Sequence, residues 1–380
     1  MSDASTPSRV ARPARMVFHA PFPVRPGSSR ASGIRPWKML QGFRQAGFEV
    51  RVVTGYAAQR RASLRSLERA MKEGWVPEFV YSEAATLPSS LTEPRHLPLI
   101  LNLERKFFRD MHDRGIPSGV FYRDVYWAFP EYRKSVGPLL YPALRYLYGR
   151  EIETFNHYVD VLFLPSVEMA QFVPGLRGPR PVALPPGTDP KDVPLPKPGA
   201  GSLRVLYVGD IGGGHYDMAE FLRAVSETEG VSLTICTRSD SMARAREQYA
   251  DVLKEADNIT FVQASGEDLL PLYRSADIAS LVVRPDEYRS FAAPMKLWEY
   301  MAMGRPVLTT TGTKATTTVE AVGAGWGVVY DADSIAKSLR RLRDNPQVVV
   351  AASKAAREFG LKNTWRDRAR FVAQTLTAGG

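Results

Sequence analysis

Short β-branched runs alternate along this chain with stretches of helical period, and the alternation starts over shortly after residue 201. Only parallel sheets with helices on both faces accommodate such a pattern, because each parallel strand must be reached by a long crossover. Met16 to Ala20 reads as the first strand. A Gly/Ser loop from Pro26 to Gly33 follows, then a helix beginning near Pro36, a residue suited to a first helical position, with Trp37, Met39, Leu40 and Phe43 on its apolar side. Gly47 closes that helix, and Glu49–Thr54, Gly119–Arg123, Val161–Leu164 and Pro181–Leu184 read as further strands. Pro185 to Gly201 holds six prolines and three glycines, which cannot continue a sheet and read as a semi-rigid connector. Beyond it come strands at 203–209, 231–237, 259–262, 278–283 and 306–310, with helices from about Tyr216, from Ser241 and over Pro294–Met303. The expected fold class is α/β, with two Rossmann-like, doubly wound domains facing a central cleft and ligands at the carboxyl ends of the strands. The expected domains are 15–189 and 202–364, joined by a linker at 190–201, with 365–380 as a last helix and 1–14 as a disordered lead-in.

With 380 residues, 44% apolar and 24% charged, the chain can bury two cores, and collagen, coiled coil and wholesale disorder are excluded. A single cysteine, Cys236, allows no internal disulfide and no cysteine-cluster metal site, which fits a reducing, cytoplasmic setting. No apolar run reaches the length of about eighteen residues that a membrane span needs, and no secretory signal core is visible at the start. The Arg, Ser and Ala content of the first fourteen residues also resembles a short transit peptide. Residues 1–200 hold 28 Lys and Arg against 18 Asp and Glu, while residues 201–380 hold 22 of each, so the net charge of +10 belongs to the first half. Residues 1–72 alone carry 14 basic and 3 acidic side chains, a density that attracts an anionic surface or simply solubilises the domain.

The most informative segment runs from Arg284 to Val307. It reads as a strand end, a loop and a helix whose N-terminus at Pro294 and Met295 offers backbone N–H groups and a positive dipole end to an anion. Lys296 adds a mobile charge. Glu299, one turn on, can accept two hydrogen bonds from vicinal hydroxyls such as those of a ribose. The plainer reading is an ordinary i,i+3 Lys–Glu pair on a solvated helix.

Pro294-x-Lys296-x-x-Glu299-Tyr300-x-Ala302-x-Gly304-x-Pro306-Val307 resembles the donor-binding signature of GT-B fold glycosyltransferases, of the glycosyltransferase family 4 kind and of related bacterial glucuronosyltransferases. Tyr207-Val208-Gly209-Asp210, before a glycine loop, is similar to the family's first C-terminal strand and turn, and Val159-Asp160 running into Leu162-Phe163-Leu164-Pro165-Ser166 to the strand closing its acceptor domain. Gly187-Thr188-Asp189 resembles its hinge, with Pro186 replacing an asparagine. The resemblance implies transfer of a sugar from a nucleotide-diphosphate donor, with uridine the expected base, to a lipid-linked glycan or polysaccharide precursor. It implies that the second domain holds the donor: Pro294, Met295 and Lys296 at the diphosphate with the Gly212 and Gly213 backbone, Glu299 at the ribose, and the loop from Arg284 through Tyr288 at the sugar. By analogy with the fold, the helix starting at Trp365, after an N-cap at Thr364, crosses back to the first domain. There are two departures. Where many members have a first glutamate, eight positions before Glu299, this chain has Phe291, and the usual Arg and Lys after the first C-terminal strand are replaced by Gly212-Gly213-Gly214-His215. Retaining or inverting stereochemistry is therefore left open.

In the first half, the loop from Gly27 to Gly33, including Ser32, can bring backbone close to phosphates, or can be an ordinary strand-to-helix turn. Arg123-Asp124-Val125-Tyr126-Trp127 is similar to the Arg-Asp-x-Trp of several bacterial transferases, with one more residue before the tryptophan. Asp124 is the first candidate for the general base that an inverting transfer needs, or it pairs with Arg123 to shape a turn; His19, at the end of strand one, is the second candidate. Asp331-Ala332-Asp333 matches a metal-binding Asp-x-Asp but is placed to cap the helix starting near Ser334, and no metal and no cofactor beyond the nucleotide sugar are expected. The apolar, aromatic run Gly137–Tyr148, flanked by Arg133, Lys134 and Arg150, suits either a buried core or a membrane interface. Together with the basic first half, it points to a peripheral position on the inner membrane face. Two alternatives stand beside this one: a sugar-nucleotide epimerase of the same fold, and a non-enzymatic basic binding module. No nucleic-acid motif accompanies the basic cluster, so nucleic acid is not an expected partner.

Overall fold

The computed structural model describes residues 13–27, 31–96, 101–213 and 216–378. Most of the lead-in, the middle of the Gly27–Gly33 loop, and Gly214 and His215 lie outside these described residues. Among the described residues there are two sheets of six strands. The first contains β1 (Arg15–Ala20), β2 (Glu49–Thr54), β3 (Phe79–Glu83), β4 (Ser118–Phe121), β5 (Val161–Leu164) and β6 (Arg180–Ala183), in the order β2-β1-β3-β4-β5-β6. The second contains β7 (Leu203–Val208), β8 (Val231–Cys236), β9 (Ile259–Val262), β10 (Ile278–Leu281), β11 (Val307–Thr310) and β12 (Gly325–Val328), in the order β12-β11-β10-β7-β8-β9. The pairings of β1 with β2 and β3, and of β7 with β8 and β10, are parallel, and in both sheets the order reverses beside the first strand.

The chain divides into two compact units. One comprises residues 1–163, 173–182 and 369–380, and the other 164–172 and 183–368. The last helix, Trp365–Thr377, enters the first unit at Ala369, where Leu376 packs over Gly119.

Central strands are buried on both faces; β5 is apolar throughout, whereas β3 and β4 include the buried polar residues Ser82, Glu83 and Ser118. Every residue of β3, β4 and β5 is buried. Along β7, alternate side chains enter separate cores: Leu203, Val205 and Tyr207 join one cluster, while Leu206 and Val208 join Leu297, Trp298 and Met301 in the other.

The structure corrects the start of the first helix. It spans Ala31–Gln45, so Pro36 lies inside it rather than at its first position. An internal proline has no N–H for the carbonyl four residues back. That carbonyl belongs to Ser32, and it accepts instead from the Arg123 guanidinium at 2.8 Å. The helix also extends further toward its N-terminus than a proline-led start predicts, because Arg35 is buried and ion-paired there rather than solvated.

Candidate functional site

In the second unit, the loops at the carboxyl ends of β7, β8 and β10 and the helix Met295–Ala302 bring together most of the residues singled out in this half. The Tyr300 hydroxyl accepts from the Val208 backbone N–H at 2.7 Å, fixing the helix to the end of β7. Gly304, at φ 66°, ends the helix turn, and the buried Arg305 donates to the Pro194 carbonyl. Pro294 is the N-cap, and no side chain caps the helix there, so its first-turn N–H groups face the loop with the positive end of the dipole.

Lys296 Nζ donates to Glu299 Oε2 at 2.5 Å, and the Tyr273 hydroxyl reaches the same oxygen at 3.4 Å. Both charged side chains are roughly a third exposed, at 29% and 31%. The Lys296 charge also offsets part of the upward push that burial gives the Cys236 thiol, which puts the ammonium beside the end of β8. The pair can open toward an anion and a diol, since each partner keeps solvent access.

The glycine turn follows the end of β7, the strand to which Tyr300 ties this helix. Gly212 and Gly213 have φ of 81° and 72°, and the Gly213 N–H donates to Gln248 Oε1 at 3.0 Å. Only glycine holds two successive left-handed residues without strain. Asp210, which opens the turn, accepts from the Ile211 N–H at 3.1 Å and from the Ser241 hydroxyl, and it pairs with Arg238 at 3.4 Å and Arg244 at 3.5 Å. These two arginines were not singled out in the sequence. Arg238 follows the end of β8 by two residues and Arg244 lies in the helix Ser239–Gln248 after it; their convergence on Asp210 is tertiary. Both are more than half exposed.

Arg284 is placed apart from Lys296. Its Nε donates to Asp217 Oδ2 at 2.7 Å and its guanidinium lies over the Tyr330 ring. Tyr288 sits in the short turn Glu287–Ser290, edge-on to Phe291 at 5.1 Å. Phe291 is 1% exposed, packs on Phe172, and its carbonyl accepts from the Ser166 hydroxyl at 2.8 Å. The side chain at that position is a core residue, and no carboxylate stands there. Asp331 caps the helix Ala332–Asp344, accepting from the Ser334 N–H at 2.8 Å. Among the described residues, no group of three or more His, Cys, Asp or Glu side chains is arranged to hold a metal ion.

In the first unit, the carboxyl ends of β1, β3 and β4 gather Arg123, Asp124 and His19 into one region with unequal exposure. Glu83 is fully buried and accepts from the Tyr81 hydroxyl at 2.7 Å, with Arg35 at 3.3 Å and Arg123 at 3.5 Å. Arg35 stacks 3.3 Å above the Phe121 ring centroid. Arg123 thus braces the helix Ala31–Gln45 through Ser32 and the sheet through Glu83. Asp124 is half-buried, and its Oδ1 accepts from the Tyr126 N–H at 2.8 Å in a tight turn. His19 is 2% exposed, stacked on Phe107, with Nδ1 2.8 Å from the Ser82 hydroxyl. Burial, aided by the Arg60 charge, pushes its pKa down to about 3. A ring so enclosed stays in its neutral, singly protonated form at neutral pH. Gly27 is exposed at φ 81°, with open space where a side chain would stand; Ser32 is exposed and Gly33 half-buried.

Residues 202–345 match the family model of the group 1 glycosyl transferases. No curated protein is similar to the chain at a significant level. Among solved structures, sucrose-phosphate synthase from Thermosynechococcus elongatus is similar over 97% of this chain and 100% of its own, at 14% identity and a TM-score of 0.64. HepE of Anabaena, solved with UDP and glucose, is similar over 96% and 99%, at 12% identity and a TM-score of 0.61. WaaG, a glycosyltransferase involved in lipopolysaccharide biosynthesis, is similar over 96% and 100%, at 16% identity and a TM-score of 0.56. The two Rossmann-like units are therefore those of the GT-B fold, and the second of them, over residues 202–345, matches the group 1 glycosyl transferases.

Proposed function

We propose that this protein is a glycosyltransferase that takes a sugar from a uridine diphosphate donor and extends a lipid-linked glycan or polysaccharide precursor at a membrane surface. The observation that carries the reading is the uncapped start of the helix Met295–Ala302, with Lys296 and Glu299 side by side, in the unit that matches the group 1 family. The helix terminus and Lys296 meet the diphosphate, the Gly212–Gly213 backbone allows close approach, and Glu299 turns from Lys296 to the ribose hydroxyls. Arg284 and Tyr288 border the sugar. That HepE was solved with UDP and glucose and that WaaG is involved in lipopolysaccharide biosynthesis both fit this reading.

Asp124 is the proposed base. It takes the proton of the acceptor hydroxyl as that oxygen bonds to the anomeric carbon and the bond to the diphosphate breaks, the diphosphate leaving with its electron pair. His19 has a structural part: with its pKa near 3 it is too weak a base and too enclosed to reach an acceptor. The reaction as proposed uses no metal, because Lys296 and the helix dipole supply positive charge at the leaving group. No helix among the described residues is long and apolar enough to cross a membrane, so the proposed membrane contact is peripheral.

The test is a thermal-shift panel of nucleotide sugars with and without chelator, followed by product analysis with the best ligand. Stabilisation by a uridine diphosphate sugar that chelator does not remove supports the reading. An epimerised free nucleotide sugar as product, or no stabilisation by any nucleotide, overturns it.

A further inference from the structure

Leu139 and Leu140 are adjacent large apolar side chains left in solvent, 92% and 62% exposed, and Tyr146 on the following helix is 64% exposed. They crown a turn in the first unit. The helix Pro130–Val136 before it buries none of its residues, Gly137 takes φ of 81°, Pro138 follows, and the helix Tyr141–Tyr158 begins. Pro142 and Ala143 are exposed beside them. Two neighbouring leucines held out on a glycine–proline turn are left largely uncovered by the described residues, whereas isolated exposed leucines would need no explanation.

The charges around this tip are mostly basic, with the exposed Glu131 at the start of the preceding helix the exception. From Arg133 to Arg150 there are four basic residues and no acidic one. Arg133, Lys134 and Arg145 are exposed. The guanidinium groups stay close to tyrosine rings: Arg133 lies over Tyr141 at 5.9 Å, Arg150 over Tyr146 at 6.0 Å, and Arg145 donates to the Tyr141 hydroxyl at 3.4 Å. An apolar point with a collar of tyrosine and cations matches the layering of a bilayer surface, where acyl chains, the amphipathic interface and anionic headgroups follow one another. The face also has a direction. Tyr141 leads to Tyr132 at 6.5 Å and Tyr132 to Tyr126 at 6.0 Å, and Tyr126 donates its N–H to Asp124.

We infer that the first unit docks on an anionic lipid bilayer through the Gly137–Leu140 turn, with Leu139 and Leu140 inserted and Arg133, Lys134 and Arg145 at the headgroups. The docking rests on these side chains alone. That the docked face leads to an acceptor rests on the proposed function, with Asp124 at the end of the tyrosine series.

The experiment is cosedimentation of the full chain with vesicles of phosphatidylcholine alone and of phosphatidylcholine with phosphatidylglycerol, alongside UDP titration of the same samples. Wild-type protein should bind the anionic vesicles and release in high salt. The variant carrying Leu139→Glu and Leu140→Glu should bind at least about tenfold more weakly. Arg133→Gln with Lys134→Gln should lower binding by roughly fivefold per charge at low salt. Since the leucines are exposed, both variants should keep the wild-type circular dichroism and UDP affinity. Equal vesicle binding by the leucine variant and the wild type would overturn the proposal. So would a wild-type dimer that the leucine variant dissolves, which would give the turn to a second copy. Vesicle binding without UDP binding would leave the docking intact and defeat the glycosyltransferase reading.

Discussion

Glu151 shows how strongly one buried carboxyl depends on its surroundings. Its Oε1 accepts from the Ser89 N–H at 2.9 Å, while its Oε2 is buried with no hydrogen-bond partner among the described residues. Burial pushes its pKa from 4.5 up to about 7. The folded protein therefore keeps a proton that the unfolded chain has already released, and stability present below the unfolded value is lost as pH rises through the folded one. Glu151→Gln keeps the acceptor for Ser89 and cannot ionise. It should raise stability by about 1–3 kcal/mol near pH 8 and change it little near pH 5, read from urea melts at both values; equal effects at both pH values would contradict the assignment. For Asp124, the Asn variant retains an oxygen for the Tyr126 N–H. Turnover should fall about a hundredfold or more with UDP affinity unchanged, measured by steady-state kinetics beside calorimetry. Near-normal turnover would pass the base role to another group. That Lys296 and Glu299 stand side by side was legible from spacing, because i and i+3 share a helix face; their proposed part at a donor came from the resemblance of the segment around them. Arg238 and Arg244 were not, since what joins them is Asp210, 28 and 34 residues earlier in the chain.

Among the elements, the helix Met295–Ala302 owes its position to a close approach. A methyl group on Gly360, in the helix Pro346–Leu361, would stand 2.5 Å from Ala302 Cα and 3.0 Å from its nitrogen. Backbone cannot yield as a flexible side chain would, so Gly360→Ala should cost about 1–3 kcal/mol. Because the displaced helix carries Lys296, the variant should also bind UDP more weakly. Denaturant melts and a UDP titration check both, and wild-type values in both would show that the contact does not position the site. The same scale shows what the alternation of apolar runs does and does not reveal. β2, β5 and β9 fall where the sequence reading puts them, and most other strands end within a residue or two of it. β3 went unread because its run closes on Ser82 and Glu83, polar residues that are buried by pairing with His19, Arg35 and Arg123 rather than by being apolar. β12 went unread because Gly-Trp-Gly-Val has little strand character, yet Gly325 is demanded there: a side chain would stand 2.1 Å from the Val307 carbonyl oxygen.

For the whole molecule, two units of similar build carry different charge. The excess of basic residues lies in the first 200 residues, while the remainder is balanced at 22 of each sign. On the proposed function, nucleotide recognition on the second unit would rest on placed groups, above all Lys296 and the helix terminus, rather than on a broad positive field, and it should weaken only modestly between low and physiological salt. UDP at a hundred times its dissociation constant should stabilise the unit that holds it by about 2.7 kcal/mol, visible as a shift of one thermal transition. The most direct measurement is calorimetric titration of UDP into the wild type, Lys296→Ala and Glu299→Ala. The account predicts one site on the wild type and a loss of about 1–3 kcal/mol in each variant, the Lys296 loss vanishing when uridine replaces UDP because no diphosphate remains to be gripped. Affinity for UDP that is the same in all three proteins would contradict it.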